Sequence, residues 1–189
     1  PQSIAEAYTI DKANNNTVWQ DAIRLEMDSV SVAFDVLDEG VGPPPLHKSV
    51  RFHLIFDVKM DFTRKARLVA EGCSTPDPIN STYAGVVSRE SVRIAFTYVA
   101  LNDLLVWVAD VKNAYLQAPC SEKYYTRLGP EFGAEFQGRI AIIVRAAYVM
   151  KCAGADYRNH MRDCMSHLDY TSCPADPDVW MRPVTTDNG

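Results

Sequence analysis

An α+β fold is predicted for this chain, with helices packed on one face of a mainly antiparallel sheet and a β-hairpin projecting away. Three observations predict it. Apolar residues fall near helical spacing over 18–30 (Val18, Ala22, Leu25, Val30) and again over 92–100 (Val92, Ala95, Phe96, Val99, Ala100). Two β-rich stretches, 50–60 and 64–71, flank Asp61-Phe62-Thr63 like the arms of a hairpin. The short apolar runs 104–108 and 140–144 have the length and branching of core strands. Such elements bury their apolar faces by layering helix on sheet.

The elements follow in order. Asn16 or Thr17 can cap a first helix that runs to about Ala33. Residues 40–45, Gly-Val-Gly-Pro-Pro-Pro, make a stiff loop that no helix or central strand crosses. The hairpin comes next, then a proline-rich polar loop over about 74–81, then a helix capped by Ser88. The 104–109 strand leads to a short helical turn after Asp110 and a loop rich in Pro and Gly. A strand over 140–144, an amphipathic helix over about 154–169 and a last strand over 179–182 complete the reading. Residues 1–15 read as an N-terminal extension, 16–182 as the domain and 183–189 as a tail. There is no internal repeat and no low-complexity tract.

A length of 189 residues suits one domain of ordinary size with a real core. Hydrophobic residues at 47% and charged ones at 23% are average for a soluble globular protein. No apolar run reaches membrane-spanning length, and the N-terminus lacks a basic-then-apolar secretory pattern, so no membrane partner is expected. Five cysteines without a Cys-x-x-Cys pair argue against a disulfide framework and fit a reducing, intracellular setting. A start at Pro1, without methionine, reads as a piece of a longer product.

The net charge of −5 is awkward for a nucleic-acid protein, but the charge is uneven. Residues 1–47 hold eight acids and two bases, whereas 48–67 hold six bases and only Asp57 and Asp61. The positive charge is thus concentrated on the hairpin, which can make a local anion-binding face or simply a solvated one. Tight autonomous binding to a duplex needs a wider basic surface.

Asp110-Val-Lys-Asn-Ala-Tyr-Leu116 carries the most chemistry. Asp110 closes an apolar strand, where an ionised carboxylate is costly without a cation. An aromatic, Tyr115, follows five residues later. An acid at a strand mouth beside a bulky ring suits a metal-assisted phosphoryl-transfer site, the acid holding Mg²⁺ and the ring pressing on a nucleotide sugar. A strand-capping Asp without metal and a Tyr packed in the core fit the same pattern.

The surrounding segments resemble, in order and spacing, the reverse transcriptase domain of copia-type retrotransposon polyproteins. They are Trp19-Gln-Asp-Ala22 with Glu26, Phe56-Asp-Val-Lys59, Lys65-Ala-Arg-Leu-Val-Ala70, Val86-Val-Ser88 with Ser91-Val-Arg93, and the Asp110 segment. Gly129-Pro-Glu-Phe-Gly133, Ala147-Tyr148 with Lys151, and Ala175-Asp-Pro-Asp-Val-Trp180 continue the series. The resemblance spans about residues 15–182. It implies the fingers and partial palm of a right-hand polymerase, with the hairpin as fingertip. It implies Asp110 as the first catalytic carboxylate and a Mg²⁺ ligand, with the Val111 carbonyl as a second metal contact. Tyr115 matches the aromatic gate against a ribose 2′-hydroxyl. Lys65 and Arg67 match the basic pair that meets the triphosphate; two apart on a strand, they share a face, and a solvent-facing edge is the bland alternative. Lys151 and Gly154 lie in the stretch that supports the templating base and nucleotide. Arg93 fits a structural or template-phosphate role. The implied partners are an RNA template, a DNA primer, a deoxynucleoside triphosphate and the rest of the polyprotein, in a cytoplasmic virus-like particle or the nucleus.

Departures from the family pattern are marked. Val149 replaces a glycine, and a β-branched residue does not readily take positive φ. Asp156 stands where a basic residue is usual, reversing a charge near the expected nucleic-acid path. The family's second catalytic element, a hairpin with two adjacent aspartates, lies beyond Asp-Pro-Asp-Val-Trp and is not among these residues. Asp176 and Asp178 do not replace it, because Pro177 separates them. Asp110 alone binds Mg²⁺ weakly, so the chain by itself is expected to have little or no polymerase activity.

Other sites carry less. His160, Cys164 and His167 share a helix face, with Cys173 nearby, and can be read as zinc ligands or as ordinary core and surface residues. No Gly-x-Ser-x-Gly elbow, cysteine-nucleophile signature or Gly-rich phosphate loop is present. Two readings remain: a reverse transcriptase domain fragment, or a non-catalytic module that binds nucleic acid or protein through the basic hairpin.

Overall fold

A computed structural model of the chain describes residues 1–71, 77–79 and 82–183. These form two compact units. Unit 1 comprises Pro1–Thr82 and Asn113–Tyr157, and unit 2 comprises Tyr83–Lys112 and Arg158–Gly189. The class is α+β, as the sequence predicts.

Unit 1 begins with a helix that the sequence reading leaves as an extension. Ser3 caps α1 (Ile4–Ala13) by accepting from the Glu6 amide. α2 (Val18–Val30) starts at Thr17, but the Thr17 side chain does not cap it. The fully buried Asp11 of α1 does so instead, accepting from the Trp19 and Gln20 amides at 3.0–3.1 Å. Free amides at a helix N-terminus need an acceptor, and a carboxylate there also meets the positive end of the helix dipole. The helix ends in a 3₁₀ turn, Ser31–Ala33, close to the expected limit.

β1 (Phe34–Val36), β2 (Lys48–Ser49), β5 (Tyr124–Arg127) and β6 (Ile140–Ile143) form one sheet in the order β1-β6-β5-β2. Its pairs are antiparallel except β2 with β5, which is parallel. β6 matches the predicted strand, whereas β1, β2 and β5 were too short or too polar to read from periodicity. The predicted hairpin forms as β3 (Phe52–Val58) and β4 (Arg64–Ala70), in register from Phe52 opposite Ala70 to Val58 opposite Arg64. α2 covers β4: Trp19 and Ile23 are buried with Ala66, and Trp19 meets Phe56 edge-on with ring centroids 5.7 Å apart. Glu26 reaches across and accepts from the Leu68 amide at 2.9 Å. α4 (Ala114–Gln117) is the short turn expected after Asp110.

In unit 2, Ser88 caps α3 (Arg89–Leu101) as predicted, accepting from the Ser91 amide at 3.0 Å. β7 (Thr171–Cys173) and β8 (Asp176–Met181) pair antiparallel, so the last strand is longer than its predicted core and has a partner. α5 (Ala153–His167) is the predicted amphipathic helix.

One expectation fails. No strand forms over 104–109; the backbone there has no ladder, and Trp107 and Val108 are 89% and 90% exposed. The apolar stripe of α3 is exposed too, with no buried residue on the helix. A strand needs hydrogen-bonded neighbours, and the ladder among the described residues of unit 2 is β7 with β8. Most of the predicted 74–81 loop lies outside the described residues. Among the described residues, no helix is long and apolar enough to cross a membrane.

Candidate functional site

All five predicted nucleotide-binding residues, Lys65, Arg67, Tyr115, Lys151 and Gly154, belong to unit 1. On β4, Ala66 and Leu68 are buried whereas Lys65 is half-buried and Arg67 exposed, so the two bases share the outward face. In register, Lys65 stands opposite Asp57 and Arg67 opposite Ile55. Neither base belongs to an ion pair among the described residues. The reverse side of the strand is packed: Leu68 lies in the core, and Glu26 accepts from its amide.

At its end, β4 connects to the other candidates. The Ala70 amide donates to the Tyr148 carbonyl at 3.1 Å. The Tyr148 ring meets Tyr115 edge-on at 5.6 Å, and Tyr157 meets Tyr115 from another side at 6.1 Å. Tyr115 is half-buried among these rings. It sits on α4, whose start is fixed by Asn113 in the left-handed region (φ 53°), with its side-chain amide bonded to Ser29. Asparagine tolerates that conformation better than most residues. The sequence reading missed the support that Glu26, Asn113, Tyr148 and Tyr157 give; adjacency in space, not spacing in the chain, makes them partners.

Lys151 is ion-paired with Asp77 at 2.8 Å. Hydrogen bonding to Lys151, and then its charge, lowers the Asp77 pKa. Gly154 lies in the first turn of α5, half-buried.

Two expectations about departures change. Val149 does adopt positive φ, at 69°. The chain keeps the conformation a glycine would supply and accepts the strain of a β-branched side chain in it. Asp156 is buried and accepts from the Ser121 amide at 3.3 Å, so its carboxylate is turned into unit 1 rather than out to solvent.

Asp110 and Val111 belong to unit 2, and both are exposed. Asp110 follows an exposed segment without a ladder instead of closing a buried strand. Among the described residues, one group of three or more metal-capable side chains converges, and it does not include Asp110. A two-Mg²⁺ centre, with ions about 3.5–4 Å apart, needs several carboxylates. These residues alone do not complete one. Asp176 and Asp178, set aside as substitutes, have structural tasks in unit 2. Asp176 accepts from Ser91 Oγ at 2.6 Å and the Ser88 amide at 2.9 Å, and Asp178 pairs with Arg158 at 3.0 Å. The zinc reading of the last helix is not supported: His160 and Cys164 approach to 3.7 Å, but with His167 and Cys173 they do not gather around a point.

Residues 34–188 match the family model described as reverse transcriptase (RNA-dependent DNA polymerase), and the chain belongs to that family. The branch is that of the copia-type retrotransposons. No solved structure matches the chain.

Proposed function

We propose that this chain supplies the fingers and part of the palm of a copia-type reverse transcriptase, the domain that extends a DNA primer on an RNA template. The observation that best supports this is the outward face of β4. Lys65 and Arg67 stand there on a strand clamped from behind, and rigid cationic donors suit a triphosphate whose charge shifts as its α-phosphate is attacked. The Tyr115 ring is held at its edges by Tyr148 and Tyr157, a placement suited to excluding a ribose 2′-hydroxyl. Asp110 contributes one acid to the transfer centre. The reaction is attack of the primer 3′-hydroxyl on the nucleotide α-phosphorus with loss of pyrophosphate. The partners are the RNA template, the DNA primer, the nucleotide and the rest of the polyprotein, in a virus-like particle or the nucleus.

Turnover on this reading needs the two-aspartate hairpin of the family alongside these residues. The 189 residues alone are expected to bind an RNA–DNA hybrid weakly and not to extend it. Primer extension on poly(rA)/oligo(dT) with Mg²⁺ or Mn²⁺ should stay at background. Robust incorporation that Asp110→Asn abolishes would overturn the inactivity. Hybrid binding, followed by fluorescence anisotropy, should fall steeply between about 50 and 200 mM salt and weaken when Lys65 and Arg67 are both changed to Ala. Joining the chain to the two-aspartate segment of an active copia-type enzyme should then restore extension. Binding without turnover in that fusion would favour the non-catalytic module, and absence of binding would count against both.

A further inference from the structure

Unit 1 contains a second cluster of chemically capable side chains, which neither the basic hairpin nor the Asp110 segment uses. Cys152 immediately precedes α5 and Asp156 lies in its first turn; their i,i+4 spacing puts both on one face, and the Asp156 amide donates to the Cys152 carbonyl at 2.9 Å. Cys120 approaches from the segment between α4 and β5. That segment is fixed beside the chain leaving β6 by the hydrogen bond that the Cys120 amide donates to the Val144 carbonyl at 3.1 Å and by the Pro119–Arg145 bridge. The two sulfurs and a carboxylate oxygen all lie within 4.8 Å of one another. Cys152 and Asp156 are buried and Cys120 is half-buried. Asp156 accepts from the Ser121 amide at 3.3 Å, and no ion pair among the described residues includes it.

From this geometry we propose that Cys120, Cys152 and Asp156 form a binding site for one thiophilic divalent cation, zinc being the natural occupant, with solvent in the fourth position. Zinc–sulfur bonds of about 2.3 Å and zinc–oxygen bonds of about 2.0–2.2 Å require tetrahedral donors roughly 3.5–3.8 Å apart. The observed spacing reaches that by side-chain shifts of about 1 Å or less, without moving either backbone element. Thiolate donors select zinc over Mg²⁺, so the site is chemically separate from the polymerase metals. The half-exposed Cys120 supplies an entry path. The ion would tie the start of α5 to the segment beside the end of β6, a structural role that does not depend on the polymerase reading.

Cobalt(II) titration of the full chain under a non-thiol reductant tests this. One equivalent should produce a thiolate-to-cobalt charge-transfer band, displaced by one equivalent of zinc. Cys120→Ser, at a half-exposed position whose folding circular dichroism can check, should weaken binding by at least about tenfold. Asp156→Asn should also weaken it, whereas Asp110→Asn and Cys164→Ser should leave the titration unchanged. Absence of the band overturns the proposal. So does a band unaffected by Cys120→Ser, or one abolished by Cys164→Ser.

Discussion

α2 in unit 1 and α3 in unit 2 are both 13-residue amphipathic helices, yet they end in opposite surroundings. α2 buries Trp19, Ile23 and Val30, whereas α3 buries none of its residues. The difference lies in what each helix can pack against. α2 has the apolar side of β4, including Ala66, and the ring of Phe56. α3 presents Val92, Ala95, Phe96 and Val99 to an open groove of about 210 Å³ that it shares with Val106 and Val179. Periodicity specifies which face of a helix is apolar; only a partner of matching length makes that face a core.

The contrast can be broken most directly by paired core truncations. Leu68, buried on β4, should lose about 3 kcal/mol of stability as Leu68→Ala, within the usual range of about 2–5 kcal/mol for such cavities. Leu105, exposed in the run after α3, should cost less than about 0.5 kcal/mol as Leu105→Ser. Urea denaturation of both variants measures the pair. A cost above about 1 kcal/mol for Leu105→Ser would mean that the run is covered in solution, and the difference between the units would vanish.

The same comparison explains what could be read from the chain alone. The β3–β4 hairpin, the Ser88 cap, β6 and α5 were legible because each is specified locally, by alternation, a capping residue or an apolar run bounded by turns. The 104–109 strand misled because an apolar run of that composition is necessary for a core strand but does not supply the neighbours that make one. α1 was overlooked because its work is done by Asp11, an acid whose partners, the first amides of α2, are visible only in space. At the site, the shared face of Lys65 and Arg67 followed from strand alternation. The setting of Tyr115 did not, since Tyr148 and Tyr157 reach it from distant positions in the chain. The burial of Asp156 was hidden for a similar reason: comparing residue types along a motif gave its charge but not its direction.

A smaller effect sharpens the picture within unit 1. Val149 holds φ at 69° and is more than half exposed, so its side chain contributes little burial while its β-branching opposes the backbone. Left-handed backbone costs an ordinary L-residue about 1–2 kcal/mol, and glycine avoids that at an entropic cost of roughly 0.5–1 kcal/mol. Val149→Gly should therefore stabilise unit 1 by about 0.5–1 kcal/mol, seen as a higher denaturation midpoint. A lower midpoint would show that the valine packs in solution and that the strain is not expressed.

The last effect is confined to acid and belongs to unit 2, where side-chain hydrogen bonds carry more of the organisation than burial does. Asp176 accepts from the Ser91 hydroxyl, the Ser88 amide and the Asp178 amide, and these bonds, Ser91's first, lower its pKa from 3.8 to about 2. Because the folded-state value is the lower one, the carboxylate's contribution is complete above about pH 4 and fades as the pH falls towards 2. Asp176→Asn keeps one side-chain acceptor but has no charge to lose. Amide exchange at the start of α3, compared between wild type and Asp176→Asn, should show a protection advantage for wild type above about pH 4 that shrinks towards pH 2. An advantage that stays constant across that range would assign the hold on α3 to the shape of the Ser88–Ser91–Asp176 network rather than to its charge.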